Sequence, residues 1–244
     1  MQDEAWKLLL DGADVAEAEV REGALEAVFA PLLQARAEGR RFVVSQLGLS
    51  LDGRIATETG DSKYINGRCA LTHLHRLRAL VDAVVIGAGT ARADDPRLTV
   101  RLCQGAHPAR VVIDPRGTVG PGAQVWREDG CRRIVIGGHE TLPAGVERID
   151  LSGQVPVAEI VAALDCFGLT RLLIEGGADT LGRFLAADAV DSLHLLFGRV
   201  LIGSGRVGVA LPPIARLADA PRPEGTSFVF PDGDLLVTCD LKEG

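Results

Sequence analysis

Two rhythms of apolar residues divide the chain. Residues 1 to 40 are rich in Ala and Glu and set Leu25, Val28, Phe29, Leu32 and Leu33 at helical spacing, with no alternation that would mark a strand. From Arg40 onward, short apolar runs bounded by Gly, Pro and Asp alternate with helical segments, the pattern of an α/β layer architecture. The predicted strands are Arg41 to Leu47, Ala83 to Ile86, Arg110 to Pro115, Arg133 to Gly138 and the run opening at Arg171. Helices are predicted from Gly67 to Leu80, with Asn66 as N-cap and Ala70, Leu71, Leu74 and Leu77 as the buried stripe, and from Val157 to Phe167. The stretches Ser192 to Ile202 and Ser227 to Leu241 are strand-like without long helices between them, which predicts antiparallel strands closing one side of the sheet.

Composition narrows the chemistry. A chain of 244 residues with 47% hydrophobic content builds one large domain, or a domain plus an appendage. A formal net charge of -7 argues against nucleic acid as a general partner, since a phosphate backbone needs a basic face; local arginines still suit a small phosphorylated ligand. Cys69, Cys103, Cys131, Cys166 and Cys239 are widely spaced and include no C-x-x-C, so neither a disulfide framework nor a zinc site is expected, and a reducing cytoplasm fits. No run of eighteen apolar residues and no basic-then-apolar leader occurs, so neither membrane nor secretion is signalled.

Two glycine-rich turns follow predicted strands. Gly87-Ala88-Gly89-Thr90 opens a short acidic helix ending in Asp94-Asp95-Pro96, and Gly176-Gly177-Ala178 opens another. Glycine lets backbone approach a ligand, and amides at a helix start favour an anion, so either turn suits a phosphate; the plainer reading is an ordinary strand-to-helix turn. No G-x-G-x-x-G follows a strand, so a Rossmann assignment lacks support. Arg97 and Arg101 leave the first turn on an extended segment. Arg76 and Arg78 read by default as solvated helix arginines, and His73 and His75, two apart, point away from each other on a helix and share no metal.

The ordered motifs S-L-D-G (Ser50–Gly53), G-D-S-K-Y-I (Gly60–Ile65), H-R-L-R (His75–Arg78), G-T-A-R-A-D-D-P-R-L-T-V-R (Gly89–Arg101), I-E-G-G (Ile174–Gly177) and L-I-G-S-G (Leu201–Gly205) resemble those of the riboflavin-biosynthesis pyrimidine reductases, over about residues 41 to 241. The resemblance implies a dihydrofolate-reductase-like α/β domain over residues 41–244, behind a helical appendage at 1–40. It implies a mostly parallel central sheet with helices on both faces, NADPH as cofactor, and a phosphorylated pyrimidine ribosylamine as substrate, reduced to its ribitylamino product. It places Leu49, Tyr64, Thr90, Asp94 and the run Gly177, Ala178, Asp179, Thr180, Leu181, Gly182 and Arg183 on the cofactor, and Ser62, Arg78, Leu98, Arg101 and Glu175 on the substrate. Asp94 and Glu175 are the candidates for keeping an imine nitrogen protonated during hydride transfer. Arg78 and Arg101 would supply two guanidinium forks for a phosphomonoester. Arg92 and Arg183, beside the two glycine turns, would meet the 2′-phosphate that separates NADPH from NADH. A homodimer is expected, as in the family.

The chain also departs from the family pattern. Gln46 stands where a lysine is common, Pro115 where a small polar residue follows Ile-Asp, and Gly182 where Asn is frequent. Neither H-x-E nor P-C-x-x-C, the zinc deaminase motifs of many relatives, occurs, so any deamination is expected from another protein. Two alternatives therefore stay open: a reductase of the same fold acting on another heterocyclic imine or carbonyl, and a silent nucleotide-binding module.

Overall fold

Among the described residues the short apolar runs assemble into one nine-stranded sheet. A computed structural model describes residues 6–7, 9–10, 27–138, 141–151, 153 and 155–242; Leu25 of the predicted helical face lies outside them. In chain order come β1 (Phe42–Ser50), β2 (Arg54–Ala56), α1 (Arg68–Leu80), β3 (Ala83–Gly87), α2 (Ala88–Asp94), β4 (Ala109–Ile113), β5 (Arg133–Ile136) and β6 (Val146–Ile149). Then follow α3 (Val157–Cys166), β7 (Arg171–Glu175), α4 (Ala178–Ala186), β8 (Ser192–Gly198), β9 (Arg206–Val207), β10 (Glu224–Val229) and β11 (Leu235–Asp240). The sheet order is β10-β11-β8-β1-β7-β3-β4-β5-β6, and β2 pairs with β9 apart from it.

Period-two patterning decides which face each strand residue covers. Val44, Val84, Ile86, Leu173 and Leu196 point to one side, into a cluster with Leu77 of α1 and with Trp6, Phe29 and Leu32 from the N-terminal helical residues. Val43, Val85, Leu172 and Ile174 point to the other, against Ile160 and Leu164 of α3 and Phe184 of α4. Helices therefore cover both faces of a mostly parallel sheet, as expected of an α/β fold.

Three expectations are corrected. The antiparallel pairing expected between the stretches from Ser192 and from Ser227 holds for β8 against β11, but β8 itself runs parallel to β1, because α4 carries the chain over the sheet and a helical crossover returns a strand in the same direction. Within the large sheet, the described residues pair antiparallel at its C-terminal edge, where β11 runs against both β8 and β10. Second, Asn66 does not cap α1; its amide donates to the Leu196 carbonyl at 3.0 Å. The cap comes from the β10–β11 turn instead: Asp234 Oδ2 accepts from Gly67 N at 2.7 Å and Asp232 Oδ2 from Cys69 N at 2.9 Å, two carboxylates at the positive end of the helix. Third, Leu71 is exposed, whereas His73, His75, Arg76 and Arg78 are buried, so the two arginines read as solvated are interior groups. β6 carries no apolar run and escaped sequence reading because Glu147 and Arg148 occupy its middle.

Candidate active site

The two glycine turns meet. β3 and β7 are parallel neighbours, so Gly87 and the Gly176-Gly177 pair emerge side by side at their carboxyl ends, where open α/β sheets place ligands. Thr90 Oγ1 accepts from Gly177 N–H at 3.1 Å. Gly176 has φ +86, and a Cβ built on it would lie 2.7 Å from Thr90 Oγ1, so glycine is required twice over. Gly87 is held as closely, since its Cβ would come within 2.4 Å of Thr180 Oγ1, while Gly89 faces open space.

Helix α4 starts with no side-chain cap, so the amides of Ala178, Asp179 and Thr180 precede its hydrogen-bond ladder. Leu181, Gly182 and Arg183 do not share that role. The Leu181 amide already donates to the Gly177 carbonyl at 3.2 Å and its side chain is buried. Gly182 lies under the Ala210 carbonyl, 2.1 Å from where a Cβ would sit, which accounts for glycine at that position. Arg183 Nη2 donates to the Val155 carbonyl at 2.6 Å, in the loop ahead of α3.

Beside this turn runs a buried polar row. Glu175 on β7, Gln46 on β1 and His194 on β8 are register partners, and all three face α1. Helix α1 answers two of them. Arg78 Nε and Nη2 donate to the two Glu175 oxygens, each at 2.7 Å, in a fork that leaves both side chains under a tenth exposed. His73 Nε2 and His194 Nδ1 lie 2.9 Å apart. Burial drives His73 well below the ordinary imidazole range and lowers His194 to about 4. Gln46 sits between the two pairs, 9% exposed.

The pairing revises the reading of Arg78 as a free phosphate ligand. Its remaining Nη1 donates to the Thr99 carbonyl at 3.1 Å, so each terminal nitrogen already has a partner. Glu175, gripped at both oxygens by a guanidinium, is poorly placed to deliver a proton.

Arg101 presents a different case. It is exposed at the end of segment 95–101, which pairs with no strand. Asp95 and buried Leu98 hold positive φ of 40° and 54°, conformations that non-glycine residues adopt only when their surroundings impose them. Gln124 fixes the start of the segment: its amides bond Asp95, and Arg97 Nε donates to its Oε1 at 2.7 Å. Burial lowers the Arg101 pKa from its ordinary value, and the cations Arg78 and Arg97 push it further the same way. Three guanidinium groups thus crowd one patch, a charge arrangement suited to an anion.

The rim carries Asp94, Arg206, Gly60 and Ser62. Burial raises the Asp94 carboxyl, and Arg206 on β9 opposes the rise. The Arg206 guanidinium lies over Gly60, 3.3 Å from the position of a Cβ there. Ser62 is half-buried in the same loop. Tyr64 stands in solvent, 93% exposed with φ 66°, and Leu49 packs into a cluster with Leu47, Leu181 and Leu193. Sequence reading missed Arg206, His75 and His107. His75 carried a signal, its position three residues before Arg78 on one helix face, whereas Arg206 had none.

Comparison with known proteins decides the family. Residues 41–220 match the RibD C-terminal domain. The chain belongs to the riboflavin-biosynthesis pyrimidine reductase family. It is 31% identical over 223 residues to the 2,5-diamino-6-ribosylamino-4(3H)-pyrimidinone 5′-phosphate reductase of Methanothermobacter thermautotrophicus, covering 83% of this chain and 99% of that one. Among solved structures it resembles the Thermotoga maritima deaminase/5-amino-6-(5-phosphoribosylamino)uracil reductase, with a TM-score of 0.74 and 28% identity, over 86% of this chain and 59% of that one. The chain likewise spans 59% of the RibD protein of Bacillus amyloliquefaciens. Dihydrofolate reductase from Enterococcus faecalis, at 13% identity and a TM-score of 0.50 over 82% of this chain and 95% of that one, shares the fold. Among the described residues no cluster of metal-binding side chains occurs, and no helix is long and apolar enough to cross a membrane.

Proposed function

We propose that this member of the pyrimidine reductase family reduces a 5-amino-6-ribosylaminouracil 5′-phosphate or its close relative to the ribitylamino product, with NADPH as hydride source. The observation that carries the reading is the juxtaposition of two surfaces: the bare Gly176-Gly177 turn with the uncapped start of α4, and the Arg78, Arg97 and Arg101 patch beside Glu175.

The chain's residues fit a dinucleotide. The first-turn amides of Ala178, Asp179 and Thr180 suit its pyrophosphate, and Gly176 lets Thr90 pack directly against the turn that presents them. Thr90, Asp94, Tyr64 and the main chain at Leu49 complete its proposed contacts. With Arg183 tied to Val155, Arg92, exposed on α2, is the remaining cation for a 2′-phosphate. When bound, the nicotinamide supplies a hydride to the sugar carbon that the opened ring leaves as an imine.

The protein's own work is alignment, charge and one proton. Arg101 takes the phosphate, with Arg97 in support and Ser62 beside the sugar; only the main chain at Leu98 is left for that role, since its side chain is buried in the core. The Arg78–Glu175 pair offers Glu175's remaining lone pairs to ring amino groups while the Arg78 fork holds that carboxylate fixed. The proton that the imine nitrogen needs falls to Asp94, whose carboxyl burial already raises, rather than to Glu175. Gln46, a neutral amide between Glu175 and His194, favours keeping a second reading alive, in which the heterocycle differs from that of relatives carrying lysine there.

The test is NADPH oxidation with the ribosylaminouracil phosphate, wild type against Arg101→Lys. Lysine keeps the charge and loses the fork, so kcat/KM should fall by the equivalent of about 1–3 kcal/mol while NADPH affinity holds. A change of less than twofold removes Arg101 as the phosphate ligand. Turnover of another heterocycle alone selects the second reading, and NADPH binding without any turnover selects the silent module.

A further inference from the structure

Segment 98–101 poses a problem of main-chain accounting. It belongs to no strand, yet Thr99 and Val100 are buried and the amides of Val100 and Arg101 need acceptors. Two imidazoles provide them. His75 Nδ1 accepts from the Arg101 N–H at 2.8 Å, and His107 Nδ1 accepts from the Val100 N–H at 3.2 Å.

A main-chain N–H can only donate, so the Nδ1 of each ring is unprotonated; the bonds themselves fix the tautomer, with the proton of each neutral ring on Nε2. The two rings come from different elements, His75 from α1 and His107 from the loop ahead of β4, and they take consecutive amides. Successive amides of an extended chain point to opposite sides, so the segment is clamped from both. The Thr99 carbonyl between them receives Arg78 Nη1 at 3.1 Å and also contacts Arg101 Nη1. The Arg101 guanidinium leans back on Thr99 Oγ1.

We infer that His75, seconded by His107, is a positioning residue that sets the direction of Arg101 by holding its main-chain amide with a neutral imidazole acceptor. This inference rests on reading Arg101 as the phosphate ligand. A guanidinium fork is useful only when its planar donors meet phosphate oxygens squarely, so the direction of its main chain matters as much as its charge. A histidine suits the place because it offers a buried neutral acceptor among cations. Burial, with Arg78, Arg101 and His107 around it, lowers His75 to about 4, and the ring stays unprotonated across the neutral range.

Three substitutions separate this role from simple core filling. His75→Leu keeps volume and removes the acceptor, His75→Asn returns an acceptor oxygen near the Nδ1 position, and Arg101→Ala removes the side chain being aimed. The readouts are kcat and KM for the phosphorylated substrate, the dissociation constant of inorganic phosphate, and exchange of the Arg101 amide by NMR in the full chain. His75→Leu should raise KM and the phosphate dissociation constant about tenfold, with kcat within twofold, and speed Arg101 amide exchange by at least about tenfold, the scale of one lost hydrogen bond. His75→Asn should bring all three back to within about threefold of wild type. Leu matching wild type in KM and amide exchange, Asn failing as badly as Leu, or a fall in kcat at constant KM would each overturn the proposal. Phosphate binding unmoved by Arg101→Ala would bring down the phosphate reading and this inference with it. Phosphate binding lost in Arg101→Ala but kept in His75→Leu would bring down the inference alone.

Discussion

Acidification should destabilise this fold in a window set by its buried imidazoles. His75 and His194 are each 3% exposed and lowered to about 4, against 6.5 for a free imidazole. The native state refuses a proton that the unfolded chain accepts, so stability is flat above about pH 6.5, falls as pH drops from there to about 4, and is flat again below. At pH 5 the unfolded histidine is almost wholly protonated and the native one almost wholly neutral, which costs about 2 kcal/mol for each ring. His73 shifts in the same direction but shares one bond with His194, so the dyad is counted once. The sum is about 4 kcal/mol between pH 7 and pH 5, a large part of the 5–15 kcal/mol typical of a domain. Carboxylates do not confuse this window. Asp52 and Glu147 are lowered from ordinary values of 3.8 and 4.5, so their losses come at lower pH, and Asp94, raised, works the other way. The assay is guanidinium unfolding at pH 7, 6 and 5, with m checked for constancy. His75→Asn should remove about one proton from the slope, or about 1.4 kcal/mol per pH unit. A wild-type loss under about 1 kcal/mol between pH 7 and 5, with an unchanged m, would refute the reasoning.

Other expectations follow from single contacts. Gly176→Ala, at φ +86 with Thr90 in the way, should lose about 2 kcal/mol of stability and weaken NADPH binding; calorimetry showing intact cofactor affinity would detach the turn from the cofactor. Arg92→Ala should narrow the gap between NADPH and NADH dissociation constants about tenfold, and an unchanged ratio would remove Arg92 from the 2′-phosphate. The exposed edge strand β10, with Val229 75% exposed, offers an edge for a second copy; sedimentation of a monomer at micromolar concentration would exclude the homodimer.

How much of this was legible in the sequence depended on how local each cause was. Strand runs such as Ala83–Ile86 and Leu172–Ile174 are buried on both faces and declare themselves without reference to anything distant. The two glycine turns were found for the same reason, since each glycine answers a local demand for bare backbone. What failed was what depends on partners far along the chain. Arg78 lies 97 residues from the carboxylate it grips, and an arginine on a helix carries no mark of whether it ends in water or in an ion pair. The cap of α1 lies 167 residues from Gly67, so Asn66, the local candidate, was chosen wrongly for a sound local reason. Arg183 falls two residues beyond the first turn of its helix, where the ladder has taken the amides and the side chain turns to Val155.

The buried polar row makes one constraint on evolution of this site explicit. Glu175, Gln46 and His194 share a face of three adjacent strands, and a single helix supplies partners to the outer two. Removing Arg78 would leave a buried carboxylate alone, and removing Glu175 a buried guanidinium, each at a cost of about 3–5 kcal/mol. The outer members are therefore fixed in pairs, and a change in one demands a change in the other. Gln46 is bound to neither pair and can vary singly, changing what the site offers a heterocycle without unbalancing buried charge. A change at position 46, with Arg78 and Glu175 retained, is the kind of substitution this arrangement permits, and it directs the search for substrate specificity to the middle of the row rather than to its ends.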